Sequence, residues 1–188
     1  MSDKRKVILI TDGDSVAQKA IEIASENIGG RCISSSGGTP TPIKGRNIVE
    51  LIRTAKNDPV VVMVDDEGLS QTGQGERAIY EIANHPEIEI LGIVAVASNT
   101  QGVNGIVVDF SITADGQIVN GAVDKNGLPK RGKKLFGDTV DIIESCDIPL
   151  TIGIGDIGKM EGRDDCEIGA PIVTKAVEEI LKQSKSNS

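Results

Sequence analysis

Three apolar runs in this sequence end in carboxylates. Residues 6–11 (KVILIT) lead into Asp12 and Asp14, residues 60–64 (VVVMV) into Asp65, Asp66 and Glu67, and residues 150–154 (LTIGI) into Asp156. If the runs are parallel strands, these six acids meet at the carboxyl edge of one sheet, where open α/β folds bind their ligands. Carboxylate oxygens gathered there suit Mg²⁺ or Ca²⁺. Crowded like charges also raise one another's pKa, which can make a general acid. The other reading makes Asp14 a helix cap and the rest ordinary turn residues. The spacing allows both.

Other segments offer different chemistry. Residues 68–75 are glycine-rich and precede a helix, so the backbone N–H groups of Gly73 and Gly75, beside Arg77, could receive an anion. Residues 34–39 are a second such loop, and neither has phosphate-loop spacing. Gly153, Gly155 and Gly158 match GxGxxG, but no helix begins inside the motif, so it is read as a turn and not as a dinucleotide fingerprint. Lys130, Arg131, Lys133 and Lys134 form the dense basic cluster, fitted to phosphate, an anionic membrane surface or an acidic partner. His85 is the single histidine, placed to complement a helix C-terminus. Cys166 follows two aspartates that discourage its thiolate.

The elements that must position these groups alternate. Strand, helix and strand are expected over 6–11, 16–28 and 31–34, with Asp14 capping the helix. A surface loop at 34–42 precedes a helix carrying Ile48, Val49, Leu51 and Ile52 on one side and the strand at 60–64. A third helix is expected over about 76–84, then a strand at 88–97. A β-hairpin insertion spans about 105–123, turning at Ala114-Asp115-Gly116 and carrying Phe110. Helix signals return at Asp138, a strand follows at 150–154, and a last helix runs from Pro171 to about Lys182, with a frayed tail beyond. The expectation is a single α/β domain over 1–188, with an ordered core of about 4–183. It should be three-layered, with a mostly parallel sheet flanked by helices in a Rossmann-like or Toprim-like topology.

Composition agrees and excludes several classes. The chain has 188 residues and a net charge of −8, with 26 Ile and 17 Val but only Tyr80, Phe110 and Phe136 as aromatics. Such a core suits buried parallel strands. The acidic balance argues against nucleic-acid binding. No run reaches the ~18 apolar residues of a membrane span. Asp12 interrupts the N-terminal apolar run too early for a signal peptide. Three unpaired cysteines indicate neither a disulfide framework nor a zinc ribbon.

Eight blocks occur in order: KVILITDGD (6–14), ENIGGRCIS (26–34), DPVVVMVDDEG (58–68), GQGERA (73–78), LGIVAVASNT (91–100), VDFSITADG (108–116), GDTVDII (137–143) and IGIGDIGKM (152–160). As a set, spanning almost the whole chain, they resemble the stage V sporulation protein AE family, in its soluble form, of spore-forming Firmicutes. The resemblance implies a place in the SpoVA group, which moves dipicolinic acid with calcium into the spore and releases it at germination. It implies a non-enzymatic accessory, soluble or peripheral at the inner spore membrane. Its partners would be SpoVA membrane subunits and a germinant-receptor-like protein. It supplies no catalytic residues. The Phe110 hairpin and the 124–137 loop are the candidate contact surfaces, and homodimerisation through a sheet edge is open. The alternative is a Mg²⁺- or Ca²⁺-dependent ligand-binding domain or a Toprim-like enzyme. Toprim domains place a Glu early and an Asp-x-Asp later, whereas this chain has Asp12 and then Asp65-Asp66-Glu67.

Overall fold

The computed structural model describes residues 3–67, 73–99, 102–137 and 141–186. The first four strands are β1 (Arg5–Ile10), β2 (Arg31–Cys32), β3 (Val60–Met63) and β4 (Ile88–Val96), separated by helices α1 (Ser15–Asn27), α2 (Gly45–Thr54) and α3 (Gln74–Ala83). The irregular half contributes β5 (Ile106–Val107), β6 (Phe110–Ile112), β7 (Ile118–Val119) and β8 (Lys134–Leu135), before β9 (Thr151–Ile154) and α4 (Pro171–Ser186) close the chain. Seven strands form one sheet in the order β2-β3-β1-β4-β9-β6-β7. Every neighbouring pair is parallel except β6 with β7.

Both faces of this sheet are covered, which is why its strands are almost uniformly apolar. Ile8, Ile10, Met63, Val94 and Ile152 face α1 and α4, meeting Ala20, Ile21, Val173 and Val177. Val7, Leu9, Val62, Ile93 and Ala95 face α2 and α3, meeting Ile48, Ile52, Ile79 and Ile82. The alternation of adjacent residues between two helical layers is the period-two geometry of a strand. The expected three-layer α/β architecture is therefore present.

Details depart from expectation in the second half. The hairpin at 110–119 joins the main sheet through β6, which pairs with β9 (Ser111 opposite Gly153). Val107, assigned above to the hairpin, belongs instead to a separate two-stranded sheet, β5 with β8. Residues 138–140 of the expected fourth helical segment lie outside the described residues, and Asp141–Ser145 forms a short 3-10 turn. The last helix continues to Ser186, past the expected fraying point. Its apolar residues Ile172, Val173, Ala176, Val177 and Ile180 are buried, so packing sustains a helix whose final turn is polar.

Candidate functional site

The parallel pairing delivers Asp12 and Asp14 after β1, Asp65 after β3 and Asp156 after β9 to one edge. A cleft of about 260 Å³ is lined there by Thr11, Asp12, Asp14, Thr39, Asp65, Glu67, Ser98 and Asp156. The clustering read from the strand ends is thus real for five of the six acids. Asp12 is buried and its pKa is raised well above the usual carboxylate value, first by burial and then by Asp14, Asp156 and Asp65.

Each neighbour of Asp12 is also committed to the backbone. Asp14 caps α1, accepting from the N–H groups of Val16 and Ala17 at 2.8 Å each. Asp65 accepts from the N–H of Glu67 at 2.7 Å and from the hydroxyl of Thr39 at 3.2 Å. Asp156 accepts from the N–H of Gly158 at 3.0 Å, and its other oxygen lies 2.6 Å from Lys159 Nζ. That bond is the main cause of the raised Lys159 pKa, to which Asp156, Asp12 and Asp14 also contribute as charges. The cation standing among these carboxylates is therefore the chain's own lysine. Among the described residues, no group of three or more His, Cys, Asp or Glu side chains is placed to hold a metal ion.

Asp66 sits with different neighbours. It is buried, and its two oxygens accept from the N–H of Gly75 at 2.6 Å and of Glu76 at 3.1 Å. The anion at the N-terminus of α3 is thus an internal one, and it occupies the position proposed for an external anion. Gly73 and Gly75 are demanded by this approach: a Cβ on Gly75 would stand 2.8 Å from the backbone N of Asp65, and one on Gly73 would overlap the Asp66 carboxylate. Arg77 is exposed on the first turn of α3.

Residues missed by sequence reasoning complete the picture. Asp164 is fully buried and accepts from the N–H groups of Ile172 at 2.7 Å and Val173 at 3.1 Å, capping α4 from eight residues upstream. Burial pushes its carboxyl up to about 7, against the opposing pull of those two bonds. The 34–42 loop is also less superficial than its composition suggests. Ser36 and Thr41 are buried; Ser36 Oγ accepts from the N–H of Met63 at 2.9 Å and Thr41 Oγ1 from that of Asp65 at 2.8 Å. These hydroxyls finish the ladder beyond β3, a role that a Ser/Thr-rich stretch signals only through its hydrogen-bonding types.

The remaining candidates resolve into packing or surface. Gly155 of the GxGxxG segment lies against Gly127, where a Cβ would meet its N at 2.6 Å, so close backbone contact accounts for it. Phe110 is half-buried against the α1/α4 side of the core. Lys130, Arg131, Lys133 and Lys134 are all exposed. Burial, aided by Glu22, pushes the Cys32 thiol up to about 11, and burial also raises Cys146; neither is a ready nucleophile at neutral pH.

The chain matches the family model of stage V sporulation protein AE1 (SpoVAE) over residues 6–184. It belongs to that family. The match covers the sheet except Arg5 and the helices except the last two residues of α4, so SpoVAE membership describes the whole fold and not one motif. A sporulation-related function follows for this SpoVAE chain. No curated protein and no solved structure matches it. Among the described residues, no helix is long and apolar enough to cross a membrane.

Proposed function

We propose that this SpoVAE protein is a non-enzymatic accessory of the SpoVA dipicolinic acid channel system, acting in sporulation and spore germination through protein–protein contacts. It is a soluble or peripheral component at the inner spore membrane, beside the SpoVA membrane subunits and a germinant-receptor-like protein. The observation that carries this reading is how the strand-end carboxylates are used. Asp14 and Asp66 hold helix termini, Asp65 holds a loop, and Asp156 is neutralised by Lys159. Those acids serve the fold, and the family match supplies the context.

The contact surface this reading uses first is the outer edge of β7. Ile118 is exposed there, and a groove of about 370 Å³ beside the strand is lined by Val119, Leu128, Pro129 and Arg163. A terminal strand with an apolar flank suits pairing with another chain, a second copy included. Deletion of the gene in a spore former is the decisive experiment. Slower or incomplete dipicolinate release, followed by terbium fluorescence during germination, is the expected result. Unchanged germination together with unchanged spore dipicolinate would sink the proposal.

A further inference from the structure

The β5–β8 ribbon carries a face that neither the fold nor the strand-end cleft uses. Its register sets Val107 opposite Lys134 and Ile106 opposite Leu135. Ile106 and Leu135 are buried, so the cross-strand partners Val107 and Lys134 project together to the outside. Phe136 lies two residues after Lys134 and therefore on the same side. The Lys130 Nζ stands 5.2 Å from the centre of the Phe136 ring, which ties the preceding turn to this face. Val107 is 56% exposed and Phe136 38%. None of Lys130, Arg131, Lys133 and Lys134 pairs with a carboxylate among the described residues.

We propose that this face, Val107, Lys134 and Phe136 with Lys130 over the ring, together with the neighbouring exposed Arg131 and Lys133 of the same 130–134 segment, is a docking surface for an anionic lipid bilayer. Four uncompensated cations on a chain of net charge −8 form a local charge opposite to that of the whole molecule. The molecule is therefore drawn to a negative surface in one orientation and repelled in others. Three of the four are lysines, hydrated point charges on flexible stems, which suit a diffuse field of headgroups better than the fixed bidentate geometry of a protein carboxylate. Val107 and Phe136 supply a small apolar centre for the headgroup boundary, too small to anchor without the charges. The inference deepens the peripheral-membrane part of the proposed function and rests on it for its setting, while its test, on purified chain and lipid, is separate from the germination phenotype.

Sedimentation of the full chain with sucrose-loaded vesicles tests it. Binding is expected to vesicles of phosphatidylglycerol and phosphatidylcholine at low salt, to fall steeply as salt rises, and to be weak on phosphatidylcholine alone. Each basic residue near such a surface contributes about fivefold, so Lys130→Gln/Arg131→Gln/Lys133→Gln/Lys134→Gln should weaken binding several hundredfold. A matched control, Lys4→Gln/Lys6→Gln/Lys19→Gln/Lys185→Gln, removes equal charge elsewhere and should change it little. Failure of the wild type to sediment at low salt overturns the proposal without any variant. Equal loss in both quadruple variants overturns it too, since binding would then follow net charge. Capture by polyglutamate with vesicles ignored would assign the face to an acidic protein instead.

Discussion

Replacing Asp164 by Asn removes a fully buried carboxylate while keeping an oxygen to accept from Ile172 and Val173. Burial moves that carboxyl from its ordinary 3.8 to about 7 in the folded protein. The folded state therefore binds the proton more tightly than the unfolded chain. Its stabilising contribution is complete below about pH 4 and is lost as pH rises through about 7. A displacement of roughly three units corresponds to about 4 kcal/mol, at ~1.4 kcal/mol per unit. The Asn variant has no such titration. At pH 4 it should be the weaker protein, because its amide N–H₂ enters a site with no acceptor prepared for it, a cost of about 1–3 kcal/mol. Relative to wild type it should then gain up to about 4 kcal/mol between pH 4 and pH 8. For a chain of this length that is a relative shift in Tm of roughly 8–16 °C. Urea titrations of both proteins at pH 4, 6 and 8 measure the difference directly, and subtraction cancels the contribution of Asp12, which has the same sign. A variant-minus-wild-type difference that stays flat across this range would refute the reasoning.

Three further outcomes are expected. Asp66→Ala should cost about 1–2 kcal/mol through loss of the α3 cap, while Gly75→Ala should cost more because its Cβ meets backbone; denaturant midpoints rank the two. Lys159→Met removes the cation beside Asp156, Asp12 and Asp14 and should raise the Asp12 pKa further. The stability loss, within ~1 kcal/mol for so exposed a pair, should be larger at pH 8 than at pH 5. Titrating Ca²⁺ or Mg²⁺ into the wild type should give no saturable heat, and a sub-millimolar site abolished by Asp65→Ala would contradict the assignment of these carboxylates to the fold.

The sequence displayed its architecture where pattern was local. Ile/Val runs marked β1, β3, β4 and β9, and Asp14, directly before an apolar helical stripe, marked a cap that α1 uses. Strand-end position located the carboxylate cleft. What stayed hidden depends on distance along the chain. Asp164 caps a helix that begins seven residues later, and Asp66 caps one that begins eight residues later, so neither obeys adjacent-residue rules. Lys159 pairs with Asp156 because a turn after β9 folds it back on that carboxylate, which spacing alone does not reveal. Val107 changed sheets because Lys134, 27 residues away, offered a better partner than the hairpin.

The place of β9 in the sheet has a consequence for the nascent chain. β9 lies between β4 and β6, although it is the last strand made. Until residues 151–154 emerge, β6 and β7 have no seat in the main sheet, and the β4 edge remains open. Until α4 follows, Ile8, Val94 and Leu91 lack part of their cover. Synthesis therefore delivers a half-sheet of β2, β3, β1 and β4 first, with an apolar flank that only the C-terminal quarter can close. Such long-range completion makes folding slow and exposes the intermediate to self-association. A premature stop before Pro171 would leave that intermediate as the end product.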